Sequence, residues 1–209
     1  MVKAPTTTVT IRPVETDADL EAFLDVPSVV YANDPNWVPP LLSMRKETLD
    51  REKNPSWNYL EGDYYVAWRG DKPVGTIAAF VNNRHNEYHN ENIAWFGFFD
   101  VYDDAEAAKA LLDTAIEWAH SRGYDAVRGP QSFTNNEECG LLVDGFEQPV
   151  LVMPYNQPYY ARHIEASGFT KVMDTYSFHF DFSVERFEAS KENARLEKLV
   201  KRVTRNGDI

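Results

Sequence analysis

The chain has 209 residues, of which 43% are hydrophobic and 13% aromatic, enough apolar material for a packed core without disulfide or metal staples. Its 21 Lys and Arg against 33 Asp and Glu leave a net charge of −12, which argues against nucleic acid as a partner, although Arg122, Arg128 and Arg162 can still make a local basic patch. A lone cysteine, Cys139, allows neither a disulfide framework nor a Cys-rich metal site; no secretory leader is visible in Met1–Thr10 and no apolar run has the length of a membrane span, so a cytoplasmic, reducing location is expected.

Thr7–Val14 alternates weakly and predicts a first strand. Thr16–Tyr31 follows as a helix, with Asp17, Asp19 and Glu21 near its positive end and Leu20, Phe23 and Leu24 on its apolar face. Asp34-Pro35 and Pro39-Pro40 break the chain before a short helix over Leu41–Lys53. Tyr64–Trp68 and Val74–Val81 read as a hairpin turned by Arg69-Gly70-Asp71-Lys72. Asn82–Asn92 is expected to be a polar loop, and Ile93–Val101 is apolar enough for a strand buried on both faces. Ala108, Leu111, Leu112, Ala115, Ile116 and Ala119 recur at helical spacing over Asp104–Arg122, and Gly123 closes that helix.

Tyr124–Arg128 is a short strand stopped by Gly129-Pro130. A long polar stretch then runs to Gln157, and Pro158 opens a helix over Tyr159–Ser167. Asp174–Phe182 alternates, with Tyr176, Phe178, Phe180 and Phe182 on one side, and predicts a last strand. From Glu185 the composition changes. Leu196, Leu199, Val200 and Val203 give an amphipathic helix with a net positive balance, suited to docking on protein or lying on a membrane surface.

Several side chains carry chemistry. His85 and His89 flank Glu87; their four-residue spacing serves a metal only on a helix, so no metal site is expected in what reads as a loop. His85 can act as a general base near neutral pH without a large pKa shift. Asn136 and Glu137 follow the carboxyl end of a strand, where open α/β sheets place ligands, and Glu137 can accept a proton from an amine. The whole stretch from Gly129 to Tyr160 is too long for a plain connection and is the best site candidate.

The segments Asn33–Leu41, Asn92–Asp104 with its Phe-Gly-Phe-Phe core, Arg128-Gly129-Pro130, Gly140–Phe146 and Met153–Tyr160 resemble a poorly characterised bacterial branch of the GNAT superfamily, the Gcn5-related N-acetyltransferases. The likeness covers residues 1 to 183. It implies an α/β (α+β) fold with a mixed central sheet of about seven strands flanked by helices, plus the C-terminal amphipathic helix. It also implies acetyl-CoA or a longer acyl-CoA as co-substrate and a small-molecule amine as acceptor. Residues 1–183 are then the GNAT-like domain and 184–209 a helical tail, with a second GNAT-like half or a homodimer as conceivable partner.

The resemblance places the pantetheine arm of the donor along Phe98, Phe99, Asp100 and Val101. Its diphosphate loop has the pattern Arg/Gln-x-x-Gly-x-Gly/Ala, which falls here on Asp103, Glu106 and Ala108; only Ala108 matches, and Lys109 is the nearest cation that could compensate. The carboxylates are also accounted for as ordinary helix N-capping by Asp103 or Asp104. The family's acidic tyrosine corresponds to Ile164, so Tyr160, one helical turn or roughly 5–6 Å earlier, is its substitute. The expected activity is acyl transfer to an amine, with Glu137 or His85 as base and Tyr160 as acid. Some proteins of this broad type are linked to lipid N-acylation. The alternatives are a non-catalytic binding module of the same fold, or one half of a two-domain enzyme.

Overall fold

The computed structural model describes residues 8–134, 136–151, 153–178 and 191–205. Two compact units divide the chain, Met1–Lys171 and Val172–Ile209. In the first, β1 (Val9–Pro13) leads into α1 (Asp17–Val30) and α2 (Leu42–Leu49). A 3-10 turn (Pro55–Asn58) precedes β2 (Leu60–Arg69) and β3 (Lys72–Asn82); then come α3 (Asn83–His89), β4 (Ile93–Val101), α4 (Ala105–Ser121), β5 (Ala126–Arg128) and α5 (Tyr160–Ala166). The second unit contains α6 (Lys191–Arg205), on which Leu196 and Leu199 are exposed.

The strands lie in the order β1-β2-β3-β4-β5, antiparallel except for the parallel β4–β5 pair. Among the described residues the sheet therefore has five strands, which corrects the expectation of about seven. The missing candidate is Asp174–Phe182. Its described part, 174–178, is irregular, and the remainder lies outside the described residues. Alternation selects which side chains share a face; a strand also needs a neighbour to take its backbone hydrogen bonds.

A second correction concerns Asn82–Asn92, where a seven-residue helix replaces the expected loop. The Asn82 side chain accepts the His85 N–H at 3.0 Å, and Asn90 closes the helix in the left-handed region at φ 53°. Asparagine suits both ends, because its amide caps the first turn and tolerates αL at the last. A polar helix this short has no apolar period, so it was invisible to a periodicity reading.

The core has two layers. On one side of the sheet α4 buries Ala108, Leu111, Leu112, Ala115 and Ala119 against Ile77, Ala79, Phe96 and Val101. On the other, Phe23 and Leu24 of α1 pack with Tyr64, Phe80, Trp95 and Phe98. The helix starts are set by local chemistry. Thr16 and Asp19 form a reciprocal capping box on α1, and Asp104 caps α4 by accepting the Ala107 N–H at 3.2 Å.

β4 changes character midway. Opposite β3 it runs in register from Phe80↔Trp95 to Ala78↔Gly97, then resumes at Thr76↔Asp100, so Ile77 faces both Phe98 and Phe99. That is a β-bulge, and Phe98 sits in it at φ 48°. Because side chains alternate faces, one extra residue reverses the parity of everything beyond it. Ile93, Trp95, Phe98 and Asp100 thus share the α1 side, whereas Phe96, Phe99 and Val101 face α4.

On its other edge β4 pairs with β5 only over Ile93–Trp95. The last main-chain bond on that edge is Gln131 N–H to the Phe96 carbonyl at 3.1 Å. Gly97 allows this approach, since a Cβ there would lie 1.7 Å from the Gln131 carbonyl oxygen. The Gly97→Ala variant is expected to lose about 1–3 kcal/mol by overpacking backbone against backbone, read as a lowered denaturant midpoint; an unchanged midpoint would show that the approach is not constrained.

Candidate functional site

Beyond Gly97 the strand edge is parted. Among the described residues no main-chain bond joins Phe98–Val101 to the segment that follows β5. Two tyrosines of the α5 region occupy that place. The Val101 N–H donates to the Tyr160 hydroxyl at 2.8 Å, and the Tyr159 hydroxyl donates to the Val101 carbonyl at 2.8 Å. Side chains thereby stand in for a strand and leave no buried backbone group of Val101 unpaired.

On the α1 face a cleft of about 210 Å³ opens onto the bulge. Phe23, Leu24, Trp37, Pro39 and Leu42 give it apolar walls; its polar lining comes from Asp25, Ser28, Arg45, Thr76 and Asp100. The Thr76 hydroxyl donates to the Phe98 carbonyl at 3.0 Å, which steadies the bulge against its unfavourable φ. The Arg45 guanidinium lies 4.7 Å over the Phe98 ring, and its Nη1 is 3.8 Å from Glu138. Tyr31, at the end of α1, donates its hydroxyl hydrogen to Asp100 Oδ1 at 3.0 Å.

Burial pushes the Asp100 pKa up, and the nearby Arg45 charge and the Tyr31 bond only partly oppose this. Burial likewise raises Glu137, whose Oε2 accepts the Phe133 N–H at 3.2 Å. Tyr31 and Tyr160 are raised by burial first and by the Asp100 charge second.

The other sequence candidates are distributed as follows. Phe98, Phe99, Asp100 and Val101 form the bulged end of β4, and Tyr160 reaches it from α5. Glu137 lies in the turn after β5, half-buried, near Arg45 and Glu138. Asn136 is exposed in that turn, its N–H on the Thr134 hydroxyl. His85 is elsewhere, at the start of β4: its Nε2 is 3.0 Å from Glu91 Oε2, and its ring meets Trp95 edge-on. His85 and His89 do share a helix face, with ring centroids 4.4 Å apart, yet no group of three or more His, Cys, Asp or Glu converges among the described residues.

Ala108 is fully buried in the core and Lys109 binds Asp113 at 2.6 Å. The acidic helix start is paired throughout. Asp103 holds Arg162 and His163, Asp104 takes a two-pronged contact from Arg69, and Glu106 takes a third from the same arginine. Each carboxylate there has a cationic neighbour, so the loop is not an uncompensated negative field.

Sequence reasoning missed Tyr31, Arg45 and Thr76. None stands near Asp100 in sequence, and each reads as an ordinary helix or strand residue. The signal that existed lay in the neighbouring loops. Asp34 accepts from Tyr155 and Gln157, Asn36 donates to the Phe146 carbonyl, and buried Asn156 bonds both main-chain groups of Leu142. The segments 33–41, 140–146 and 153–160 are thus tied to one another, and the first of them lines the cleft through Trp37, Pro39 and Pro40.

Solved structures with this architecture include an aminoglycoside acetyltransferase from an uncultured soil metagenomic sample in complex with sisomicin. It is 13% identical, with a TM-score of 0.50, over 84% of this chain and 97% of that one. A tandem GNAT protein from the clavulanic acid biosynthesis pathway is 19% identical with the same TM-score, over 77% of this chain and 43% of its own. The chain has the GNAT fold. No family model matches it. Protein YghO of Escherichia coli K12 is 39% identical over 157 residues, 75% of this GNAT-fold chain and 40% of that protein. A bacterial ceramide synthase of Caulobacter vibrioides is 32% identical over 173 residues, 82% of this chain and 45% of the synthase. The chain therefore spans less than half the length of either curated relative. Among its described residues no helix is long and apolar enough to cross a membrane.

Asp100 sets a pH signature. A carboxyl with a raised folded pKa binds its proton more tightly when folded than when unfolded, so it lowers stability as pH rises from the unfolded value through the folded one. Asp100→Asn is expected to raise the thermal midpoint at pH 7, with the gain vanishing below the ordinary aspartate pKa of about 3.9. A lower midpoint for the variant at pH 7 would mean that the ionised carboxylate stabilises the fold.

Proposed function

We propose that the protein is a GNAT-type N-acyltransferase that moves an acyl group from acyl-CoA to an amine bound in the Asp100 cleft. The observation that carries this reading is the parted end of β4. It has an apolar cleft with a carboxylate on one face and main-chain groups engaged only by tyrosine side chains on its edge.

In this reading the amine nitrogen attacks the thioester carbonyl, the C–N bond forms and the C–S bond breaks. Asp100, whose pKa is raised by burial, takes the amine proton, and Glu137 is the second carboxylate in reach of the same Arg45. Tyr160 protonates the leaving sulfur. The donor arm follows Phe98–Asp100 and displaces the tyrosine hydroxyls only if it pairs with Val101. His85 is left out, because Glu91 and Trp95 hold it at the other end of β4.

The acceptor in this reading is an amine with an aliphatic chain. The walls from Phe23, Leu24, Trp37 and Leu42 fit apolar carbon, and Val38, Leu41 and Met44 extend that surface outward, each more than half exposed. The name of the Caulobacter relative, a ceramide synthase, agrees with a lipid-like acceptor.

Amine-dependent release of free thiol from acetyl-CoA and from a long-chain acyl-CoA tests the reading directly, with ethanolamine and dodecylamine as contrasting acceptors. Dodecylamine is expected to be preferred, and Asp100→Asn to slow turnover by about tenfold or more, beyond the effect of Glu137→Gln. Absence of thiol release from a folded protein that still binds acyl-CoA in calorimetry would leave a binding module instead.

A further inference from the structure

Tyr31, Tyr160 and Asp100 form one connected chain of polar atoms. Tyr31 Oη donates to Asp100 Oδ1 at 3.0 Å, the two tyrosine hydroxyls are 3.3 Å apart, and Tyr160 Oη is 3.5 Å from the same carboxylate oxygen. The Val101 N–H already donates to Tyr160 Oη, so the Tyr160 proton points onward along the chain. Its nearer acceptor is Tyr31. Each hydroxyl carries one rotatable hydrogen, so the chain runs either way: with Asp100 ionised Tyr31 donates to the carboxylate, and with Asp100 protonated the order becomes Asp100 to Tyr31 and Tyr31 to Tyr160.

We propose that Tyr31 is a positioning residue that returns the proton from the base Asp100 to the acid Tyr160, closing each turnover inside the protein. The proposal rests on the acyltransferase reading above. The amine proton goes to Asp100 as the C–N bond forms. Asp100 passes a proton to Tyr31 Oη, Tyr31 passes its own to Tyr160 Oη, and the Tyr160 proton ends on the thiolate sulfur as the C–S bond breaks. One proton leaves nitrogen, one arrives on sulfur, and all three side chains end as they began. Neither electrons nor a co-reactant are required.

Burial supports an internal route over one through solvent. Tyr31 is 2% exposed and Tyr160 1%, so bulk water does not reach the link between them. The Tyr31 ring is held independently of its hydroxyl, stacked on Trp37 at 5.1 Å with a 10° interplanar angle. Phenylalanine at position 31 therefore keeps the packing and removes only the hydroxyl. The groups that act on Asp100 are Arg45 from α2, Tyr31 from α1, Tyr160 from α5 and Glu138 from the turn after β5.

The test is the pH profile of amine-dependent thiol release for the full chain and its Tyr31→Phe, Tyr160→Phe and double variants. Wild-type activity comes first; with none, the acyltransferase reading itself fails. Given activity, a relay predicts that Tyr31→Phe lowers kcat by about tenfold or more, even on the alkaline plateau where Asp100 is ionised, with the amine KM within about twofold. The double variant is then no slower than the slower single one. If raising the pH restores full kcat to Tyr31→Phe, the hydroxyl only tunes Asp100 and the relay is overturned. Should the variant not fold, wild-type rates in mixed light and heavy water decide. A curved dependence on deuterium fraction supports several protons in flight, and a straight line overturns the relay.

Discussion

The molecule is organised around one break in backbone pairing, the bulge at Phe98 in β4. A single extra residue there swaps the faces of all that follow. Without it, Asp100 would point toward α4 and be replaced on the cleft side by an apolar neighbour. With it, a carboxylate lies beneath a cleft walled by α1 and α2, and the strand end diverges from the segment after β5. Gly97 and the Thr76 hydroxyl make this irregularity affordable, one by removing a Cβ and the other by bonding the Phe98 carbonyl. Strain is concentrated where the sheet meets the cleft, a usual location for a working site.

Electrostatics divide the protein into a quiet end and a poised one. At the start of α4 every carboxylate of the first turn meets Arg69, Arg162 or His163. These pairs fasten β2 and α5 to the helix, and the Val9 N–H of β1 donates to Glu106 at 3.3 Å. Around Asp100 the balance is different: Arg45 faces Asp100, Glu137 and Glu138 together. One guanidinium stands among three carboxylates, and burial raises the pKa of two of them, Asp100 and Glu137.

The long connection from β5 to α5 is fastened to the sheet and to the α1–α2 loop. Phe133 anchors it among Trp57, Phe80 and Phe98, and Asn156 and Tyr155 tie its later part to Leu142 and Asp34. It ends at Tyr159 and Tyr160, which fill the parted edge of β4. Loops that carry function on a rigid sheet commonly have this arrangement.

The α4 helix, the β2–β3 hairpin, the buried character of β4 and the GNAT likeness were all legible in the chain, because each rests on local periodicity, turn chemistry or short motifs. The Gly129–Tyr160 stretch was legible as a connection too long to be a plain link, from its length alone. The α3 helix was not, since asparagine caps rather than an apolar stripe define it. The Asp174–Phe182 alternation gave a face but no partner. What only the tertiary structure decided is the company each side chain keeps. Tyr31, Arg45 and Tyr160 come from three different helices, and no local pattern encodes that they converge on Asp100. That convergence follows from a parity reversal in β4, and a reversal of parity leaves no trace in composition or spacing.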